Sequence, residues 1–248
     1  MKINVKNTAY SILLMSLVVS CKKEDPTPEE PVAITITEED VADVVASAIG
    51  TGTYGLTSNA SAAAQKTTFA YNQSVPCLYS LDTTLSKSNP VGSAITYSYN
   101  LNYNYQMYCT NGIPQNLVCN LSSSGNLDQL RMSSSSTATG ALTFTGFAPS
   151  DTLYSVNGNY SRNGSATSKI RAKNSFTYTL SLDLTNVSVS KTNYSLVSGS
   201  SSVTFSATSS TGKVFNFSGT LTYVNATTAT LLLGGQTFTI NIPESLVN

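Results

Sequence analysis

The sequence predicts an all-β protein, an antiparallel meander of roughly ten to fourteen strands with one N-terminal helix. The first observation behind this prediction is an alternation of apolar and polar residues that begins near Lys66 and recurs to the C-terminus. The second is that short turn segments separate the alternating runs, so successive strands must pair as antiparallel neighbours. A sheet of this width has to curl or close. We therefore expect an open or closed barrel-like sheet, with a two-sheet β-sandwich as the alternative.

The clearest strand covers residues 95–109. Apolar side chains hold its odd positions, from Ile95 to Cys109, and mostly Thr, Ser, Asn and Gln hold the even ones. A period of two predicts one covered and one solvent-exposed face. Residues 176–184 repeat the pattern, and the parity then shifts after Thr185-Asn186, which predicts a bulge. Gly234-Gly235 predicts a two-residue hairpin turn.

One segment, at about residues 38–49, predicts a helix. Thr37 can cap its N-terminus together with Asp40. Val41, Val44, Val45, Ala48 and Ile49 then follow helical spacing, and Gly50 supplies a stop. We expect this helix to lie against the concave side of the sheet. The small residues over 51–65 predict a linker or a loose turn.

The first thirty residues have a different pattern. Lys2 and Lys6 precede an apolar run that is shorter than the roughly 20 residues needed to span a bilayer. The run ends at Ser20-Cys21, and Lys-Lys-Glu-Asp follows at once. This layout resembles a bacterial lipoprotein precursor, and the charged segment resembles the export tag of Bacteroidota-type surface lipoproteins.

The resemblance implies a signal peptide over 1–20 and a lipid such as palmitate on Cys21. It also implies an outer-membrane location, lipid-anchored and exposed at the cell surface. Three prolines among acidic residues then predict an extended tether, so that 21–31 is the lipidated cysteine and tether. Residues 32–248 are predicted to form a single β-rich domain.

Three further cysteines, Cys77, Cys109 and Cys119, lie in the body of the chain. A lipoprotein is exported to an oxidising compartment, where thiols pair. A hairpin centred on residues 110–114 would bring Cys109 opposite Cys119, so we expect that disulfide, with Cys77 left free. The cysteine spacings and the lack of histidine argue against a metal site.

The chain contains no histidine. Its absence excludes Ser-His-Asp and Cys-His nucleophile systems and any imidazole base or metal ligand. Beyond residue 43 the only acids are Asp82, Asp128, Asp151, Asp183 and Glu244. Asp183 is out of phase with its apolar neighbours and should face solvent. We therefore expect no enzyme activity, no catalytic residue and no cofactor.

Charge composition argues against nucleic acid as a partner, because 13 basic and 13 acidic residues balance and no basic stripe is present. One local group of basic residues is interpreted as a solvated strand or loop face; it comprises Arg162, Lys169, Arg171 and Lys173.

The aromatic face of the long strand has two interpretations. Tyr97, Tyr99, Tyr103 and Tyr105 would stack on a sugar if their face were open, and would be core if it were covered. Core is the favoured interpretation. Thr83 and Thr152 follow aspartates in segments that resemble the O-glycosylation acceptors of the same bacterial group.

The sequence therefore predicts a non-enzymatic, membrane-anchored surface lipoprotein. Its expected role is a binding or adhesion module for a glycan, matrix or partner protein. The alternative is a carrier that holds an apolar ligand in a half-open β-barrel.

Overall fold

A single open sheet of eleven antiparallel strands makes up most of the fold, and two helices precede it. The computed structural model describes residues 35–72, 77–90, 92–171 and 173–248. The helices are α1, Glu38–Ile49, and α2, Leu56–Asn72. The strands are β1 Ser80–Ser88, β2 Thr96–Thr110, β3 Ile113–Asp128, β4 Met132–Thr145, β5 Leu153–Ser168, β6 Ser175–Ser190, β7 Leu196–Ser209, β8 Val214–Tyr223, β9 Thr228–Leu233, β10 Gln236–Asn241 and β11 Leu246–Val247.

The strand order follows the chain from β1 to β11, and every neighbour is antiparallel. The predicted meander is thus confirmed. β1 and β11 remain the two edges, so the closed form of the barrel is wrong. The sandwich alternative is wrong as well, because the described strands form one continuously hydrogen-bonded sheet with bulges inside it.

The sheet curls around α1. This helix contacts β5 as well as β9, β10 and β11. β5 and β11 are six strands apart in the sheet, about 29 Å at roughly 4.8 Å per strand. A helix of 12 residues is about 18 Å long, so a flat sheet could not bring both strands against it. From Val41 to Ile49 its hydrophobic side chains are fully buried. The curl therefore gives a concave inner face that α1 and α2 fill.

The helix predicted over 38–49 is α1. Its capping box is present, since the Asp40 N–H donates to Thr37 Oγ1 over 3.4 Å and the Thr37 N–H donates to Asp40 Oδ2 over 3.2 Å. Gly50 is required for a different reason from the expected one. Its backbone is extended rather than left-handed, but a Cβ there would collide with Ser245. Close approach to the C-terminal segment, not a helix stop, selects glycine here.

The expectation of a linker over 51–65 and of only one helix is wrong, because Leu56–Asn72 forms α2. Alanine is the strongest helix former, and this segment is rich in it. The spacing of Leu56, Ala60, Ala63 and Ala64 places all four on one face, and each is at most 1% exposed. Small side chains let α2 pack closely, whereas their low hydrophobicity obscured the helical pattern.

The turns and bulges of the sheet follow the sequence signals. The register between β6 and β7 shifts between Thr185 and Ser188, as the change of parity predicted. Gly234 and Gly235 both have positive φ, 56° and 84°, and join β9 to β10. Asp183 is exposed, and its carboxylate accepts a hydrogen bond from Ser202 Oγ over 3.4 Å. These three predictions are confirmed.

The disulfide links Cys77 to Cys109, with a Cα–Cα distance of 5.5 Å, so the predicted Cys109–Cys119 pair is wrong. The β2–β3 hairpin turns at Asn111-Gly112, whose φ angles are 50° and 76°. That tight turn pairs Cys109 with Pro114 and leaves Cys119 opposite Tyr105. Cys119 is a buried free thiol.

Alkylation of the unfolded, unreduced protein should therefore label Cys119 and spare Cys77 and Cys109. In the folded protein Cys119 should resist labelling at neutral pH, because burial raises the pKa of its thiol to about 12. Mass spectrometry of the labelled peptides locates the modification. Label on Cys77 before reduction would contradict the observed pairing.

Candidate functional site

The tyrosines of β2 lie on the inner face of the sheet. Tyr99, Tyr103 and Tyr105 are 7%, 3% and 6% exposed, and Tyr97 is half-buried. The Tyr103 hydroxyl donates to Asn59 Oδ1 of α2, and the rings of Tyr103 and Tyr105 stack at 5.8 Å. The structure thus supports the core interpretation for three of the four rings. It leaves no open tyrosine platform along β2 for stacking on a sugar.

An apolar cleft lies instead between the C-terminal half of α2 and the first three strands, and we call it the α2 cleft. The space inside it that water-sized molecules can occupy is about 60 Å³. Its lining residues are Lys66, Phe69, Ala70, Tyr79, Leu81, Tyr105, Met107 and Leu117.

One wall of the α2 cleft comes from α2. Lys66, Phe69 and Ala70 are spaced i, i+3, i+4, so they lie on one face of the helix. Phe69 is 61% exposed, which is unusual for a phenylalanine beside an apolar surface. Lys66 is exposed as well and takes part in none of the ion pairs found among the described residues.

The floor of the cleft comes from the sheet. Tyr105 and Met107 of β2 and Leu117 of β3 are buried there, and the pairing of Met107 with Leu117 places them side by side. Because these three side chains also belong to the hydrophobic core, the floor is fixed by packing. The floor is therefore rigid and apolar.

The opposite wall is held at its end by the disulfide. Cys77 lies two residues before Tyr79, and Cys109 lies two residues after Met107. A bulge adjoins it, since the Leu78 N–H donates to Met107 O over 2.8 Å and the Met107 N–H donates to Tyr79 O over 3.2 Å. Leu78 has a φ of 68°, which turns the chain at this point. The bulge and the disulfide together fix Tyr79, 44% exposed, at the rim.

The α2 cleft carries no group suited to proton transfer at neutral pH on its floor. Burial raises the pKa of the Tyr105 phenol well above its usual value, and burial also raises the pKa of the neighbouring Cys119 thiol to about 12. Both groups stay protonated near neutral pH. The arrangement can therefore hold an apolar group, with the Lys66 ammonium available at the rim to attract an anion.

Other predicted site residues lie apart from this cleft. Cys21 lies outside the described residues. Thr83 is half-buried in β1, and Thr152 is exposed in the segment between β4 and β5. Nothing in the structure tests O-glycosylation, which stays a prediction for both threonines. In the described part of the chain no group of three or more His, Cys, Asp or Glu side chains could hold a metal ion.

The basic residues expected to be solvated have three different environments. Arg171 pairs with Asp40 over 2.9 Å and with Asp43, and Lys169 pairs with Asp128. Lys173 is exposed, as expected. Arg162, by contrast, is 3% exposed on the inner face of the sheet, so the solvated interpretation is wrong for it.

The sequence reasoning missed the residues that α2 contributes to the cleft. The sequence predicts a period of two from Lys66 onward, whereas Lys66 and Phe69 belong to α2. The i, i+3, i+4 spacing of Lys66, Phe69 and Ala70 and the alanines before them were the available signals.

Comparison of the chain with protein-family models, with curated proteins and with solved structures finds no match. Neither helix in the described ranges is both long and apolar enough to cross a membrane.

Proposed function

We propose that this protein is a non-enzymatic lipoprotein anchored at the outer membrane, exposed at the cell surface, and that it binds an amphiphile in the α2 cleft. The ligand class is an unbranched apolar chain with an anionic end group, as in a fatty acid. Binding of such a ligand would make the protein a carrier, the role that the sequence predicts as the alternative, and we prefer it to the binding or adhesion module. One observation carries the proposal: the apolar α2 cleft has a single cationic side chain, Lys66, at its rim.

The chemistry of the lining supports this ligand class. Burying an apolar chain against Met107, Leu117 and Phe69 gains about 25 cal/mol for each Å² removed from water. No acidic side chain lines the cleft, so an anionic end would meet only the Lys66 ammonium. A cationic or strongly polar ligand would find no partner there.

The exposure of Phe69 and Tyr79 also supports the proposal. Their rings flank the cleft and are 61% and 44% exposed. Leu78, beside the disulfide, is 67% exposed. Contiguous apolar surface of this kind is typical of interaction sites. A bound chain would cover part of it.

Titration with a fluorescent fatty acid, cis-parinaric acid, tests the proposal. We expect saturable binding to the intact protein, and about tenfold weaker binding to Phe69→Ser and to Lys66→Glu. The corresponding alcohol, which lacks the charge, should bind wild type and Lys66→Glu alike. Fluorescence enhancement gives the dissociation constants.

The matched control is Leu232→Ser. Leu232 is a hydrophobic residue on β9, 49% exposed and outside the cleft, so its replacement should leave the affinity unchanged. Failure of the wild-type protein to bind the probe would reject the proposal. Equal loss in all three variants would show that binding is unspecific adsorption.

Cys21→Ala tests the anchor. The variant should lose lipid labelling and membrane retention, because the apolar run over residues 12–19 is too short to hold the chain in a bilayer. Fractionation of cells grown with labelled palmitate provides the measurement. A labelled, membrane-bound variant would contradict the anchor.

Glycan or partner binding on the outer face of β1–β3 is the second candidate. There Thr84 Oγ1 donates to Asn102 Oδ1 over 2.8 Å, and Asn104 Nδ2 donates to Asp82 over 2.9 Å. These side chains line an open groove of about 390 Å³. Such rows of amides and hydroxyls suit hydrogen bonding to sugar. A glycan bound there would leave fatty acid binding in the α2 cleft unchanged.

A further inference from the structure

Arg162 is a buried cation on the inner face of β5. Its Nε donates to Ser136 Oγ over 2.9 Å, and its Nη2 donates to the Tyr99 hydroxyl over 3.3 Å. None of the ion pairs found among the described residues involves Arg162. A guanidinium stays protonated in proteins, and an unpaired buried charge is strongly unfavourable. The sheet interior therefore holds a positive charge that no carboxylate balances.

The register of the sheet leaves room for this side chain. Tyr99, Gly125, Ser136, Gly164 and Tyr178 occupy one row across β2 to β6. The three central residues of the row are small. A Cβ at Gly125 would lie 2.5 Å from Cδ1 of Tyr99, so the tyrosine ring lies over this glycine. Small residues thus lie between the two tyrosines, and the Arg162 guanidinium donates to Ser136 and Tyr99 of this row.

The hydroxyl groups near Arg162 have hydrogens left to donate. The oxygens of Ser136 and Tyr99 already accept from the guanidinium, so their O–H groups are directed elsewhere. The Tyr178 hydroxyl and Ser134 Oγ are buried on the same face and have no hydrogen-bond partner among the described residues. Buried hydroxyls are normally paired. Arg162 therefore has hydroxyl acceptors but no anionic one among the described residues, and the nearby Tyr178 hydroxyl has a hydrogen without an acceptor.

Two of the neighbouring phenols, those of Tyr99 and Tyr160, do not provide the negative charge. Burial raises the pKa of Tyr99 despite the nearby guanidinium, and it raises the pKa of Tyr160 to about 12. Both therefore remain neutral near pH 7. Among the described residues no carboxylate pairs with Arg162 to supply the negative charge.

We propose that Arg162, with the hydroxyls of Tyr178, Tyr99 and Ser136, forms an internal site for a small inorganic anion of the halide class. The site is separate from the α2 cleft and does not depend on the proposed function. A monatomic anion suits it, because the surrounding side chains are buried and a larger oxyanion would require the sheet to open. The anion neutralises Arg162 and accepts the unsatisfied hydroxyl hydrogens.

Bromide substitution tests the site directly. Crystals of the full-length protein grown in sodium bromide should show an anomalous scattering peak in contact with the Arg162 guanidinium and the Tyr178 hydroxyl. A water molecule there, or peaks confined to exposed lysines, would overturn the proposal. So would tyrosinate absorbance in the native protein at neutral pH, because it would assign the negative charge to a phenol.

Thermal unfolding gives a second measurement in solution. Replacing gluconate by bromide at constant ionic strength should raise the melting temperature of the wild-type protein by a few degrees, because the anion binds the folded state alone. Tyr178→Phe should reduce this shift, and Arg162→Met should abolish it. Lys173→Met, which removes an exposed charge, should keep the full shift. An equal shift in Arg162→Met and wild type would exclude the site.

Discussion

Leu101→Ala is expected to lower the free energy of unfolding by about 2 to 5 kcal/mol. Leu101 lies in the middle of β2, is 2% exposed, and faces the helices that fill the concave side. Its truncation removes apolar contacts and leaves a cavity that strands on both sides prevent from collapsing, since β1 and β3 hold β2 in register. Chemical unfolding monitored by circular dichroism measures the change.

Asn102→Ala is the matched control on the same strand. Asn102 is exposed on the outer face, where it accepts one hydrogen bond from Thr84. Its truncation should cost no more than about 1 kcal/mol, because water replaces the lost partner. Equal effects at both positions would mean that the inner face is not a packed core. In that event the tyrosines of β2 would again be candidates for ligand binding.

The strands were predictable because the sheet has two different faces. Each strand from β2 to β7 packs into the core on one face and contacts water on the other. Apolar and polar residues therefore alternate along it with a period of two. The turn at Gly234-Gly235 and the bulge near Asn186 were predictable for a related reason. Each requires backbone conformations that glycine and asparagine adopt at low cost, so the sequence shows them locally.

Closure of the sheet was not predictable from local signals. Whether an edge strand such as β1 meets the far edge depends on the accumulated curl of the whole sheet, which no single residue determines. The helix α2 was missed because its buried face consists of alanines, which carry little hydrophobic signal. Packing against α1 and the inner face of the sheet, rather than amphipathicity, accounts for its position.

The disulfide prediction failed over a small difference in the hairpin. A turn at Asn111-Gly112 instead of a wider loop moved Cys119 four positions along β2, opposite Tyr105. The true partner, Cys77, lies 32 residues from Cys109 and was accessible only through the three-dimensional pairing of the segment before β1 with β2. Spacing along the chain does not contain that information.

Arg162 shows the reverse case, a signal that was present and overlooked. It shares its parity with Tyr154, Val156 and Tyr160, all of which face inward on β5. Alternation alone would therefore have placed Arg162 in the interior. Its charge suggested the opposite, because an arginine is rarely buried without a partner. A conflict of this kind between pattern and chemistry marks the position where a functional site is most worth testing.

Asp43→Asn is expected to lower the free energy of unfolding by about 2 to 4 kcal/mol. Asp43 lies on α1 and is almost completely buried; its carboxylate accepts from Arg131 Nε over 2.7 Å and from Arg171. Arg131 lies in the turn between β3 and β4, and Arg171 lies in the turn between β5 and β6. The Asp43 carboxylate therefore connects α1 to two turns of the sheet. The amide variant would leave Arg131 without its anion and would weaken the hold on Arg171. The arginines are about one-quarter exposed, and this partial solvation reduces the cost below that of a fully buried pair.

Asp128→Asn is the control, because it removes the same charge from an exposed ion pair with Lys169. The free energy of unfolding should fall by less than about 1 kcal/mol in this variant, since water solvates both partners. Urea unfolding of the two variants beside wild type makes the comparison. An Asp43→Asn protein as stable as Asp128→Asn would show that apolar packing alone holds α1 inside the sheet. A larger loss in Asp43→Asn shows that the ion pairs fix the helix where the sheet curls around it.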